Sequence, residues 1–97
     1  MAFIQIMEFR TSRYDEMRTV VDTWEQATEG KRTVRRRVLC QDREDPKQYV
    51  NIVFFDSYEA AMENSALPET DALSKKFREL ADGPTTFHNL DVVDDQE

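Results

Sequence analysis

Apolar positions along the chain recur at two different spacings, and each change of spacing marks a boundary. Over residues 2 to 10 they fall on both parities, Ile4 and Ile6 on one and Phe3, Met7 and Phe9 on the other. This predicts a central strand with neither face wholly in water. Ser12 then stands three residues before Asp15, the spacing of a capping box, and Met17, Val20, Val21, Trp24 and Ala27 follow at helical intervals until Gly30. Residues 33 to 41 and 48 to 55 are rich in β-formers, and the intervening DREDPK carries Asp45 and Pro46, so the two runs predict a hairpin. Asp56 with Glu59 signals a short helix presenting Tyr58, Ala61, Met62 and Ser65, which ends before Pro68. A further helix carries Leu73, Phe77 and Leu80 on one stripe and stops at Asp82-Gly83-Pro84. Residues 85 to 93 predict a last strand that runs into the acidic tail DVVDDQE.

The order β-α-β-β-α-α-β predicts an α+β, ferredoxin-like domain, a four-stranded antiparallel sheet with helices on one face. The other face must be polar or find a partner. On the third strand Val50, Ile52 and Phe54 form a uniformly apolar row, and Tyr49, Asn51, Val53 and Phe55 form the opposite row. The uniform row is expected beneath the helices. The mixed row is too apolar for water yet carries an amide and a phenol, so it is expected to line a partly polar cavity between the sheets of two copies. The competing reading makes Asn51 a core residue satisfied by a neighbouring strand or by water.

Composition narrows the picture. Ninety-seven residues with 39% hydrophobic content fit one domain over 1–97, with a tail at about 94–97. A formal charge of −7 argues against general nucleic-acid binding, which depends on cations displacing counterions from phosphates. The single cysteine, Cys40, has no partner for an internal disulfide and reads as a small buried hydrophobe. No apolar run approaches the ~20 residues of a membrane span, and MAFIQIMEFR lacks a basic leader followed by a long apolar stretch. The expected compartment is the cytoplasm.

The run FFDSYEAAMENSALPE resembles the strand-to-helix segment of the dimeric α/β-barrel superfamily, most closely its antibiotic-biosynthesis-monooxygenase-like domains. There a strand ends in an aromatic residue, then an acid, a Ser and a helix with Glu-Ala, as in Phe55, Asp56, Ser57, Glu59 and Ala60. The resemblance implies a homodimer whose sheets pack face to face, the partner that an oily bare face requires. It also implies functions that include cofactor-free oxygenation of polycyclic aromatics, haem degradation and ligand binding. Haem-degrading relatives usually carry Trp at the place of Phe55 and a helical His near Asn64 or Ser65, and this chain departs at both. No cofactor is expected.

Motifs exclude several chemistries. One His and one Cys do not make a zinc site, and Gly30 and Gly83, the only glycines, both close helices rather than cradle phosphate. Oxygenation of an electron-rich phenol or quinol asks less, namely an apolar chamber and a group that stabilises an oxyanion. The candidate catalytic residues are Asn51 as donor to that oxygen, Tyr49 as proton relay and His88 as general base at the pocket mouth. Phe55 is expected to wall the pocket, and Arg35 or Arg37, which share a parity, to hold negative charge. The rest of the run RTVRRR is expected to meet Asp91, Asp94 and Asp95 on the final strand of a second copy. Packing accounts equally well for Tyr49 and Phe55, and better for Trp24, Met17 and Met62. A non-catalytic dimer holding a small apolar ligand, and a structural or stress-related dimer holding none, remain as alternatives to an enzyme.

Overall fold

A computed structural model describes residues 2–97, arranged in the order β1 (Phe3–Arg10), α1 (Tyr14–Ala27), β2 (Val34–Gln41), β3 (Gln48–Phe55), α2 (Tyr58–Ser65), α3 (Pro68–Leu80) and β4 (Thr86–Asp91). The strands form one antiparallel sheet in the order β2-β3-β1-β4, and the helices share one side of it. This is the expected ferredoxin-like α+β architecture.

Helix starts are set by residues other than those expected. Neither Ser12 nor Arg13 caps α1 with its side chain. Instead the buried Thr11 hydroxyl accepts the Arg13 backbone N–H at 2.9 Å and donates to the Leu80 carbonyl at 2.8 Å, tying the start of α1 to the end of α3. Ser57, one residue after Asp56, caps α2 by accepting the Ala60 N–H at 3.0 Å. Pro68 opens α3, where its missing N–H costs nothing. In the β2–β3 turn, Asp42 accepts the Glu44 N–H and Asp45 the Lys47 N–H, and Arg10 reaches across to pair with Asp45. Arg10 first, and the Lys47 N–H second, hold the Asp45 carboxyl below its ordinary range. The turn is therefore clamped at neutral pH and loosens as pH falls through the carboxylate range.

The core is in two parts. At one end of the sheet Phe3, Val53, Phe55 and Ala61 pack together, and at the other Phe9, Met17, Tyr49 and Leu80 do so. The register explains the division, because Phe3 lies opposite Phe55 and Phe9 opposite Tyr49 on the same side of the β1–β3 ladder. Rings finish the second cluster: Tyr49 stacks on Phe9 with centroids 5.5 Å apart and on Tyr14 at 5.0 Å, and Phe77 meets Phe9 edge-on. Each such pair contributes about 0.5–1.5 kcal/mol beyond its buried area.

The sequence-based assignment of faces is reversed. Tyr49, Asn51, Val53 and Phe55 are the buried row and lie beneath the helices, whereas Val50, Ile52 and Phe54 are half-buried on the open side. Both rows are apolar enough to be covered, so alternation alone does not separate them. The aromatic pairs across β1 do, since the helices dock where the largest rings are. Cys40 shares the side of Val50 on the edge strand β2 and is exposed, not a buried hydrophobe. Met62 and Tyr58 are each 51% exposed, because α2 turns Ala61 and Asn64 inward and brings its backbone close to the sheet.

Replacing Thr11 by Val removes both buried hydrogen bonds without changing side-chain size, and is expected to cost about 1–3 kcal/mol in urea unfolding. Thr19→Val on the exposed side of α1 should change stability by less than about 0.5 kcal/mol. Equal effects of the two substitutions would contradict the assigned role of Thr11.

Candidate functional site

Between the two core clusters the helices and the sheet enclose a cavity of about 780 Å³. Its floor is the middle of the sheet. Met7 on β1, Asn51 on β3, and Leu39 and Phe87 on the flanking strands occupy matched register positions and all line the space. Its roof comes from antiparallel α1 and α3, which are joined by a 3.0 Å hydrogen bond from Trp24 Nε1 to Thr70 Oγ1. Phe87 faces the cavity yet is 56% exposed, so the space reaches the surface beside β4.

Two amides define the polar character of this space. Asn51 and Asn64 are each only 7% exposed, both line the cavity, and the Oδ1 of each is buried without a hydrogen-bond partner. An unpaired buried acceptor costs on the order of 1–3 kcal/mol. Neither amide oxygen is paired within the protein, so each is open to whatever fills the cavity, water included. Asn51 comes from the centre of β3, and Asn64 from the inward side of α2, three residues after Ala61.

Of the residues singled out from sequence, the fold brings Asn51, Phe55 and Arg37 to the cavity. Arg37 reaches it because of a β-bulge. The β2–β3 register skips one residue between Val34 and Arg36, so Val34 and Arg37 share the helix side and Arg36 takes the opposite one. Arg35 is left over, exposed and paired with Asp56 at 3.2 Å, and the parity argument that joined it to Arg37 fails at the bulge. Arg37 is held by Glu25 at 2.7 Å, and the Arg36 guanidinium lies over the Phe54 ring at 5.5 Å. The triplet therefore has a partner inside the chain for each guanidinium.

Tyr49 and His88 lie elsewhere. The Tyr49 ring is sandwiched behind the cavity wall, and its hydroxyl accepts from Gln41 Nε2 at 3.3 Å. His88 stands opposite Ile6 on the open side of the sheet, 2.9 Å from Glu8. Neither meets the cavity. Sequence reading passed over Tyr14, Arg18 and Arg78, which line it. Tyr14 sits one helical turn before Arg18, and its phenol, followed by Asp22, raises the Arg18 guanidinium above its ordinary value. The available signal was the shared helical phase of Tyr14, Met17, Arg18, Val21 and Trp24. Among the described residues no three His, Cys, Asp or Glu side chains come together as a metal site requires.

No protein-family model matches the chain, and no curated protein matches it by sequence. Solved structures do match its fold. The protein Rv0793 from Mycobacterium tuberculosis superposes with a TM-score of 0.81 at 17% identity, covering 100% of both chains. SnoaB from Streptomyces nogalater, a cofactor-independent oxygenase, gives 0.81 at 16% identity over 97% of this chain and 95% of its own. A variant of SnoaB with one asparagine replaced by alanine gives 0.82 at 15% identity over the same shares. At these identities the likeness is one of fold, and the fold is that of the antibiotic-biosynthesis-monooxygenase-like proteins.

If the asparagine oxygens await a ligand, filling their places with hydrocarbon should relieve the folded state. Asn51→Leu and Asn64→Leu are each expected to leave stability unchanged or raise it by about 1 kcal/mol in urea unfolding. A loss above ~2 kcal/mol from either would mark that amide as structural.

Proposed function

We propose that this protein is a cofactor-independent monooxygenase-like enzyme acting on a small phenol- or quinol-type aromatic, bound between helices and sheet within one chain. The observation that carries this reading is the pair of buried, unpartnered asparagine oxygens in an aromatic-walled cavity. A phenolic hydroxyl is the donor such acceptors lack, and its ring is the body that Phe55, Phe77 and Trp24 can enclose. The oxygenase named among the fold's neighbours is consistent with it.

The chemistry follows from exclusion of water and from placed dipoles. Loss of the phenolic proton leaves an electron-rich ring that gives electrons to oxygen and forms a carbon–oxygen bond. Cleavage of the resulting peroxide leaves one oxygen atom on the ring carbon, and the other departs as water. The substrate supplies all four electrons. An asparagine Nδ2–H donates to the phenolate as charge develops, and Arg37, close to Asn51 on the floor, supports the negative charge. Tyr14, in the cavity wall beside Arg18, is the phenol placed to pass a proton, in the role first considered for Tyr49.

The open side of the sheet favours a homodimer. Ile4, Ile6, Val38, Val50, Ile52 and Phe54 form a continuous apolar field there by register, and Leu90 beside them is 45% exposed. A second copy, matching the same field to itself, covers it at least cost in new chemistry. A cytoplasmic location is compatible with the single free thiol, and among the described residues no helix is long and apolar enough to cross a membrane.

Oxygen-electrode measurements with naphthoquinol- and anthrone-type compounds should give protein-dependent uptake without added metal or flavin. Asn51→Ala should lower it by about 10²-fold, as expected for loss of an oxyanion donor. Absence of uptake above the uncatalysed rate across the panel would refute the enzymatic reading. Light scattering is expected to give twice the chain mass at micromolar concentration, and Ile52→Asp on the open face should yield monomer. A wild-type monomer would remove the dimer.

A further inference from the structure

The charge pattern of the cavity narrows what enters it. In a chain whose acids outnumber its bases by 20 to 13, the lining includes Arg18, Arg37 and Arg78 and no aspartate or glutamate. Burial alone removes charges of both signs from a wall, so it does not account for a bias toward cations in an acidic protein. The three arginines are not equivalent. Arg37 is shared with Glu25 at 2.7 Å, and Arg18 with Asp22 at 3.3 Å. On α3 the neighbouring cations Lys75 and Lys76 are each matched by an acid one turn away, Asp71 and Glu79. Arg78 makes no ion pair among the described residues. The dipole of α3 favours a cation in its last turn, but it says nothing about why every other wall lacks an acid.

Position gives this free guanidinium a use. Arg78 follows Phe77, which is packed in the cavity's aromatic cluster, and precedes the Gly83–Thr85 segment leading to β4, where the exposed Phe87 marks the opening. A ligand whose ring lies in the apolar middle, with a hydroxyl at the asparagines, would point its far end toward this side. A planar fork of N–H donors at such a place matches a carboxylate. We propose that the ligand is an aromatic carboxylate, a hydroxylated ring system bearing an acid group, with Arg78 reading the carboxylate at the cavity mouth and determining specificity for it. The proposal rests on the reading of the cavity as a phenol- or quinol-binding site, and adds to it a permanent anion that the reaction itself does not require.

The test compares 6-hydroxy-2-naphthoate with its methyl ester, which share a ring and a hydroxyl at the end opposite the acid group and differ in one charge. Affinities are measured by calorimetric titration of the full chain, and quenching of Trp24, the sole tryptophan and a lining residue, reports that the ring is inside. The acid is expected to bind about five- to tenfold more tightly than the ester in low salt, with the ratio shrinking as salt screens an exposed arginine. Arg78→Gln should bring the ratio to about two or below while leaving ester binding in place, and Arg78→Lys should restore part of it. Arg35→Gln, outside the cavity, should preserve the full ratio. Equal binding of acid and ester, an undiminished ratio in Arg78→Gln, or binding of neither compound would each overturn the proposal. Equal binding alongside oxygen uptake on neutral quinols would remove the carboxylate and leave the oxygenase reading standing. A full acid preference without uptake on any ring would do the reverse.

Discussion

Phe3 and Phe9 lie six residues apart on one strand, roughly 20 Å in extended chain, and each anchors its own packed cluster beneath the helices. That separation is the constraint on which the helix-covered side depends. Ala61 brings α2 down onto one cluster, Leu80 brings the end of α3 down onto the other, and the Trp24–Thr70 bond joins α1 to α3 across the roof. With both ends supported, the middle of the sheet need not be filled. Met7 and Asn51 face each other there in the ladder, a flexible thioether beside an amide, where a tightly packed domain of this size would place branched aliphatics.

The unfilled middle also reconciles two facts that conflict in a conventional core. A chain with 34% charged residues has little apolar surplus to leave unused, yet two acceptor atoms stay unpaired inside it. A small domain retains such a penalty where function needs it and compensates elsewhere, here through ring stacking around Tyr49 and the double hydrogen bond of Thr11. Asn51 and Asn64 thus keep acceptors that the protein itself leaves unpaired.

Much of the fold was legible in the chain. Strand and helix spans agree with the periodicity to within a residue or two, because Gly30, Pro68 and the Asp82-Gly83-Pro84 stop punctuate it sharply, and the order of elements left few topologies. The choice of face was not legible, since Val50-Ile52-Phe54 and Tyr49-Val53-Phe55 are both apolar and pairing with β1 decides between them. The chain's letters place Asn51 between two sheets, whereas it lines a space roofed by helices of its own chain. His88 attracted attention as the one imidazole, yet its register opposite Ile6 puts it on the open side. Asn64 drew notice only as the place where a histidine was missing, because nothing in an eight-residue helix reveals which way it is rolled.

The bulge in β2 gives the arginine triplet an asymmetry that its letters hide. Three identical side chains in a row have three surroundings: an acid at the helix start for Arg35, an aromatic ring on the open face for Arg36, and the cavity edge for Arg37. Excising one residue from this run would therefore not simply shorten a string of positive charge. With the extra residue gone, Val34 and the two remaining arginines would alternate regularly against Phe55, Phe54 and Val53, so the strand would lose its bulge and the contact with Asp56 while Val34 and the inner arginine keep the cavity side. A single-codon deletion at the bulge thus spares the lining, whereas the same loss in the regular part of β2 would turn neighbouring residues over to the other face.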